Sequence, residues 1–401
     1  MSKQENKGLV PERRFPKFRD DGEWELKTFN ELFTIGNGRD YKHLASGDVP
    51  VYGSGGYMLS VNDYLYDGES VCIGRKGTID NPIFLAGKFW TVDTLFYTHS
   101  FKECLPKFIY AIFQQINWVS HNEAGGVPSL SKSNIGKIKV AVPKPAEQQK
   151  IADCISSIDE LIIVQTQKID SLKTYKKGLM QQLLPSGEET APKLRFPEFR
   201  NQREWTTSTI GDICRNIASG GTPSRAIPEY WNGDIPWVST TLIDFNTIQK
   251  VNEYITKSGL SNSPAKIFPK NTILMAMYGQ GKTRGKVAVL GINAATNQAC
   301  AALLLKKGMN TEFVFQNLAV RYDEIRRISN PGGQENLSAT LIKNIPFSYP
   351  DIESGEQQKI ADCLTSIDQI IIEQAQKIEF LRTHKKGLMQ QLFSAIDEAD
   401  T

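Results

Sequence analysis

The chain has few cysteines and histidines, no long apolar run and almost no net charge, and each shortage removes a class of function. Six cysteines in 401 residues (Cys72, Cys104, Cys154, Cys214, Cys300 and Cys363) form no CxxC pair, and His43, His99, His121 and His384 stand at no ligand spacing. A zinc site, a disulfide framework and a redox thiol pair are therefore not expected, and the thiols read as those of a protein kept in a reducing cytoplasm. The longest apolar run, Ala299 to Leu305, falls well short of the roughly 20 residues that a membrane span needs. The first residues, MSKQENKGLVPERR, lack the apolar heart of a secretory signal. A net charge of +3 neither points to nucleic acid nor excludes it, because a basic groove can sit inside a near-neutral total.

A convincing active site is also missing. Gly279-Gln280-Gly281-Lys282-Thr283 resembles the end of a phosphate-binding loop, but Ala276 stands where that pattern needs glycine, and a strand rather than a helix is expected after Thr283. Asn81-Pro82-Ile83-Phe84 lacks the second proline of an amino-methyltransferase loop, and Asn330-Pro331-Gly332-Gly333 is no closer; both read as turns. Pro350-Asp351 has no Glu-x-Lys partner to make a nuclease metal site. Metal and cofactor sites on this chain are not expected.

What is present is a duplication. Glu147 to Leu184 reads EQQKIADCISSIDELIIVQTQKIDSLKTYKKGLMQQLL, and Glu356 to Phe393 repeats it at 27 of 38 positions, 209 residues later. A period that long is a repeated domain, not a solenoid. Neither copy contains proline, and apolar residues recur at alternating steps of four and three: Ile151, Ile155, Ile158, Ile162, Ile169, Leu172, Leu179 and Leu183, then Ile360, Leu364, Ile367, Ile371, Ile378, Leu381, Leu388 and Leu392. That is a heptad seam. It predicts two helices of about 57 Å each, at about 1.5 Å per residue, pairing with each other. The alternative is an amphipathic helix on a globular core, which would carry a wider apolar stripe. Gln165/Gln374 and Lys176/Lys385 are polar seam positions in both copies, of the kind that fix register and partner.

Each helix is preceded by the same plan. Arg14-Phe15-Pro16-Lys17-Phe18-Arg19 leads to Trp24, and Arg195-Phe196-Pro197-Glu198-Phe199-Arg200 leads to Trp205. A strand-rich, glycine-turned segment follows in each half. Each closes on a similar run: Gly125-Gly126, Leu130-Ser131, Ile135, Ile138, Pro143, and Gly332-Gly333, Leu337-Ser338, Ile342, Ile345, Pro350. The predicted division is 1–146 for an arm and first globular domain, 147–184 for the first helix, 185–194 for a linker, 195–355 for a lead-in and second globular domain, 356–393 for the second helix, and 394–401 for a tail. The helices are nearly alike and the globular segments differ, so the helices would do one job twice and the segments related jobs on different targets.

In both segments a strand runs into a glycine turn with cations: Arg75 and Lys76 in the first, Lys282, Thr283, Arg284 and Lys286 in the second. Glycine lets such a turn approach a phosphate backbone, and the cations neutralise it. Tyr52, Tyr57, Tyr278 and Gln280, with Asn297 and Gln298, are placed to meet base edges, although turn duty explains any one of them as well. A solvated basic hairpin is the plainer alternative.

The doubled EQQKIA helix start, the RFP-x-F lead-in and the GG…LS…I-x-x-I…P run together resemble the DNA-specificity subunit of type I restriction-modification enzymes, over nearly the whole chain. The resemblance implies an α+β chain of two globular α/β target-recognition domains joined by two long antiparallel coiled-coil helices in a pseudo-twofold repeat. It implies double-stranded DNA as ligand, read as a split and asymmetric sequence. It implies two methyltransferase subunits and two restriction subunits as partners, with S-adenosylmethionine, ATP and Mg on those partners, no catalysis by this chain, and a cytoplasmic setting. Repeated exposed positions such as Lys150, Asp153 and Lys168, with Lys359, Asp362 and Lys377, are candidate docking points. A coiled-coil scaffold that holds proteins without reading DNA is the second reading.

Overall fold

In a computed structural model the protein is described over residues 9–186, 189–279, 282–328 and 336–393. The chain divides into two compact units. One holds the residues up to Gln167 together with those from Ala375; the other runs from Lys168 to Gln374.

The first unit contains β1 (Glu25–Thr28), α1 (Phe29–Leu32), β2 (Thr34–Asn37), β3 (Ser46–Gly53), β4 (Gly56–Val61), β5 (Tyr66–Asp67), β6 (Ser70–Gly74), β7 (Ile83–Leu85), β8 (Lys88–Thr91) and β9 (Leu95–His99). Next come α2 (Pro106–Phe113), α3 (Lys132–Lys137), β10 (Lys139–Val142) and the first half of α4 (Pro145–Leu183). Its strands form a β1-β10 pair, a sheet ordered β2-β9-β6-β7 and a sheet ordered β4-β3-β8-β5, with β3 and β8 parallel.

The second unit repeats the order with β11 (Thr206–Thr209), α5 (Ile210–Ile213), β12 (Cys214–Ser219), β13 (Trp231–Val238), β14 (Thr247–Ile248), β15 (Glu253–Ile255), α6 (Lys257–Ser261), β16 (Ile267–Phe268), β17 (Ile273–Ala276), β18 (Val287–Leu290), β19 (Ala294–Thr296) and β20 (Cys300–Leu305). It ends with α7 (Thr311–Val320), α8 (Tyr322–Arg327), α9 (Ala339–Lys343), β21 (Pro346–Tyr349) and the first half of α10 (Glu356–Leu392). Its sheets are β11-β21, β12-β20-β17-β18-β14 and β15-β13-β19-β16, again with one parallel pair, β13 and β19, in the small sheet.

The closing run of each segment is a packing device. Ser131 caps α3 by accepting from the Asn134 N–H, and Ser338 caps α9 from the Leu341 N–H. Leu130, Ile135 and Ile138, like Leu337, Ile342 and Ile345, go into the core. A serine cap followed by two apolar anchors turns the chain into the last strand and aims it at the long helix.

Both long helices contribute to both units, so the compact units do not end where the helices do. The core of the first unit takes in Ile151, Ala152 and Ile155 from the start of α4 and Met389 and Leu392 from the end of α10. The core of the second takes in Met180 and Leu183 from the end of α4 and Ile360, Ala361 and Leu364 from the start of α10. In each unit the start of one helix therefore meets the end of the other, and the two run antiparallel. Burial of these side chains in the globular cores, at about 25 cal/mol per Å² of apolar surface, ties each helix half to its own globular domain. Between these ends, Ile158, Ile169, Ile367 and Ile378 are buried, while Ile162, Gln165, Leu172, Ile371, Gln374 and Leu381 are half-buried.

The polar seam lysines have partners that the heptad pattern alone does not name. Lys385 donates to both oxygens of Asp159 at 2.6 and 2.7 Å and to Gln114, and Lys176 donates to both oxygens of Asp368 at 2.7 Å. These are the same pair with the repeats exchanged. A second repeated clasp joins each lead-in to its helix. Arg14 grips Glu147 through two bonds of 2.7 Å, and Arg195 grips Glu356 at 2.8 and 2.6 Å. Both carboxylates are about 1% exposed. Lys150 and Lys359, expected on a docking face, lie over the rings of Phe15 and Phe196 in the lead-ins, each at 5.7 Å.

Candidate nucleic-acid interface

In the first unit β6 ends at Gly74, where a Cβ would come within 1.8 Å of the Thr78 carbonyl, so only glycine lets the strand turn there. The next residue is pinned on both sides: the Arg75 N–H donates to Thr94 O at 2.8 Å and its carbonyl accepts from Leu130 N–H at 2.9 Å. Lys76 bridges to Ser129, and Gly77, with φ +90°, donates to Pro128 O. With the backbone fixed this way, the side chains of Arg75 and Lys76 are exposed.

The β3–β4 hairpin tip, Gly53-Ser54-Gly55-Gly56, lies beside this turn; Ser54 Oγ is 3.4 Å from where a Cβ on Gly77 would stand. The two predicted tyrosines flank that tip, their rings edge to face at 6.1 Å. Tyr57 is 61% exposed, and Tyr52 is half-buried beneath it. The structure thus brings Tyr52, Tyr57, Arg75 and Lys76 onto one surface.

The second unit pins its turn with the same two bonds: Met277 N–H to Ala299 O, and Leu337 N–H to Met277 O. Met277 and Tyr278 therefore occupy the places of Arg75 and Lys76, and the basic residues lie further along the hairpin. Tyr278 and Lys282 are exposed, Thr283 is half-buried, and Gln280 lies outside the described residues. Arg284 is 6% exposed and its Nη2 donates to Arg326 O at 2.8 Å. Lys286 is held by Asp244 at 2.6 Å. Contact with DNA was expected of both side chains; Arg284 instead braces inward against α8, and Lys286 is paired with Asp244. Asn297 and Gln298 are similarly engaged: Asn297 accepts from Ala299 N–H and Cys300 Sγ, and Gln298 accepts from the Thr222 hydroxyl at 2.6 Å.

One feature of this unit has no local sequence signature. The Arg225 guanidinium lies 3.6 Å from the centre of the Trp231 ring, within 5.2 Å of Trp237, and bonds to Glu253. The four residues span 28 positions without periodicity, so folding alone assembles them.

Burial pushes the Cys72, Cys214 and Cys300 thiols up to about 12 and Cys104 up to about 11. Among the described residues no three His, Cys, Asp or Glu side chains gather as metal ligands, and no helix is long and apolar enough to cross a membrane.

The family model for the type I restriction modification DNA specificity domain matches residues 21–174 and again 202–382, one match for each copy of the fold. The chain belongs to the type I restriction-modification DNA-specificity family. It is 30% identical over 184 residues to the specificity subunit of the type I restriction enzyme MjaIX of Methanocaldococcus jannaschii, covering 45% of this chain and 41% of that one. To the MjaVIII specificity subunit of the same organism it is 23% identical over 364 residues, covering 84% and 79%. The first of these relatives is thus spanned over less than half its length. A solved type I restriction-modification S subunit from M. genitalium shares the fold, with a TM-score of 0.66 at 15% identity over 97% of this chain and all of that one. The α+β repeat of a globular domain and a long helix occurs twice in this chain, and the two helices run antiparallel.

Proposed function

We propose that this chain is the non-catalytic, DNA-reading specificity subunit of a type I restriction-modification complex. The observation that carries the reading is one frame built twice, with the same backbone pins and different exposed turns. Arg75, Lys76 and Tyr57 stand on the first, Tyr278 and Lys282 on the second. Two readers of one plan and different surface give a target in two unlike halves, and linking them raises the effective concentration of the second contact. The repeated helices offer two equivalent places to a partner, which fits two methyltransferase subunits and, in the full complex, two restriction subunits. S-adenosylmethionine, ATP and Mg belong to those partners in this reading, and the chain acts in the cytoplasm, where the DNA is.

The test is to co-express the chain with the methyltransferase encoded beside it and map methylated bases in the host genome by single-molecule sequencing. A split, asymmetric motif with a fixed gap is expected. An assembled complex that binds S-adenosylmethionine yet methylates no defined sequence would favour the protein-scaffold reading.

A further inference from the structure

The first unit holds two cations, Arg75 and Lys132, to which no carboxylate among the described residues is paired. Arg75 stands at the root of the β6 turn, and its carbonyl is held by Leu130 N–H. Two residues on, Lys132 opens α3, half-buried, with its Nζ 5.8 Å above the Phe96 ring. Phe96 pairs with Ile73 and its neighbour Leu95 with Gly74, so β9 carries this ring beside the Arg75 turn.

No carboxylate answers them. Among the described residues neither Arg75 nor Lys132 has an ion-pair partner. The groups instead repel one another. Burial and then the Arg75 charge pull the Lys132 ammonium below its ordinary range. Holding like charges together in a partly desolvated place costs stability unless a ligand is to answer them.

The second unit supplies the control. Its matching backbone bonds place Met277 where Arg75 stands, and its matching serine cap places Ala339 where Lys132 stands. The same frame folds with two uncharged residues there, so packing does not explain the cations.

We infer that Arg75 and Lys132 form a phosphate seat on the first globular domain, one that takes the backbone of double-stranded DNA. The second domain has no seat at the equivalent place. The inference rests on the DNA-reading function proposed above and deepens it: the two domains grip the backbone through different residues and not through equivalent ones. Arg75 and Lys132 carry the positive charge. The neighbouring Tyr57 is left to meet the bases.

The experiment is binding of the full-length chain to a mixed-sequence DNA duplex across a salt series, because a phosphate contact is independent of sequence. Lys132→Ala and Arg75→Met put in place the residues that the second domain already tolerates, so folding is preserved. Each variant is expected to lower the slope of log K against log salt by about one and to weaken binding roughly fivefold near physiological salt. Lys132→Arg should keep both. Ala339→Lys in the second domain serves as a geometric control and should not restore what Lys132→Ala loses. Wild-type binding with an unchanged slope in both first-domain variants would overturn the seat and leave the DNA-reading function standing. A wild-type chain that binds no duplex at low salt would overturn both. Variants that bind duplex normally but lose a protein partner would reassign the cluster to protein contact and overturn the seat equally.

Discussion

The cations of the second domain's glycine turn separate by what each side chain touches. Lys282 projects into solvent, whereas the buried Arg284 ties the turn to the Arg326 carbonyl. Arg284→Ala would leave that carbonyl and the space around it unfilled, at a cost of about 1–3 kcal/mol. We expect it to lower the melting temperature and to weaken DNA binding only as the domain loosens. Lys282→Ala should leave melting unchanged and flatten the salt dependence of DNA binding. Thermal melts beside salt-series binding check the pair; the reverse pattern would make Lys282 the brace. The sequence made these residues look alike because Gly-Lys-Thr-Arg-Gly-Lys reads as one basic stretch. Which side chain turns inward depends on α8, some 40 residues away, and no local pattern encodes that. The seam positions were legible for the opposite reason, since a heptad is written in neighbouring residues. Even there, Asp159 and Asp368 as partners of Lys385 and Lys176 required the fold.

At the level of the elements, the two lysine clasps sit in different surroundings. In the first unit Lys385 donates to Gln114 as well as to Asp159. In the second, Asp368 also accepts from Gln316, which in turn donates to Glu312 on α7. Burial raises the Glu312 carboxyl above the ordinary range, and the charge of Asp368 adds to the effect against the pull of Lys176. The folded state thus holds this proton to a higher pH than the unfolded chain does. Stability is therefore greatest below the ordinary carboxylate value and declines as pH rises through the raised folded one. Glu312→Gln keeps an acceptor for Gln316 and removes the titration. The variant's melting temperature, relative to wild type, should climb between mildly acidic and neutral pH and then level off. A difference that stays flat with pH would show that Glu312 ionises as it does in the unfolded chain. Carboxylates such as Glu31 and Asp212, held down by hydroxyl and amide donors, impose the opposite trend on the absolute curve, which is why the difference is the quantity to read.

For the whole molecule, duplication was the most legible property, because two near-identical helices declare themselves in any self-comparison. The globular domains shared only an order of events, and their common frame became visible through backbone bonds that leave no residue signature: Arg75 and Met277 do the same job with unrelated side chains. The compact units were not legible, since the chain leaves each helix as one continuous element while its ends are buried in different cores. That division predicts how the function should separate. The second frame opens at β11 and closes at β21, two strands that pair with each other from Thr206–Tyr349 to Thr209–Pro346. Replacing residues 206–349 by the matching stretch of another family member exchanges one reader and keeps the Arg195–Glu356 clasp and both helices. Under the two-reader function, the methylated motif should then change in one half only, with the other half and the gap preserved. Genome-wide methylation mapping of both versions reads this directly. If both halves change, the domains are not independent readers, and sequence recognition must be a joint property of the two. If neither changes, the exchanged stretch does not read DNA at all, and the differing turns lose their functional meaning.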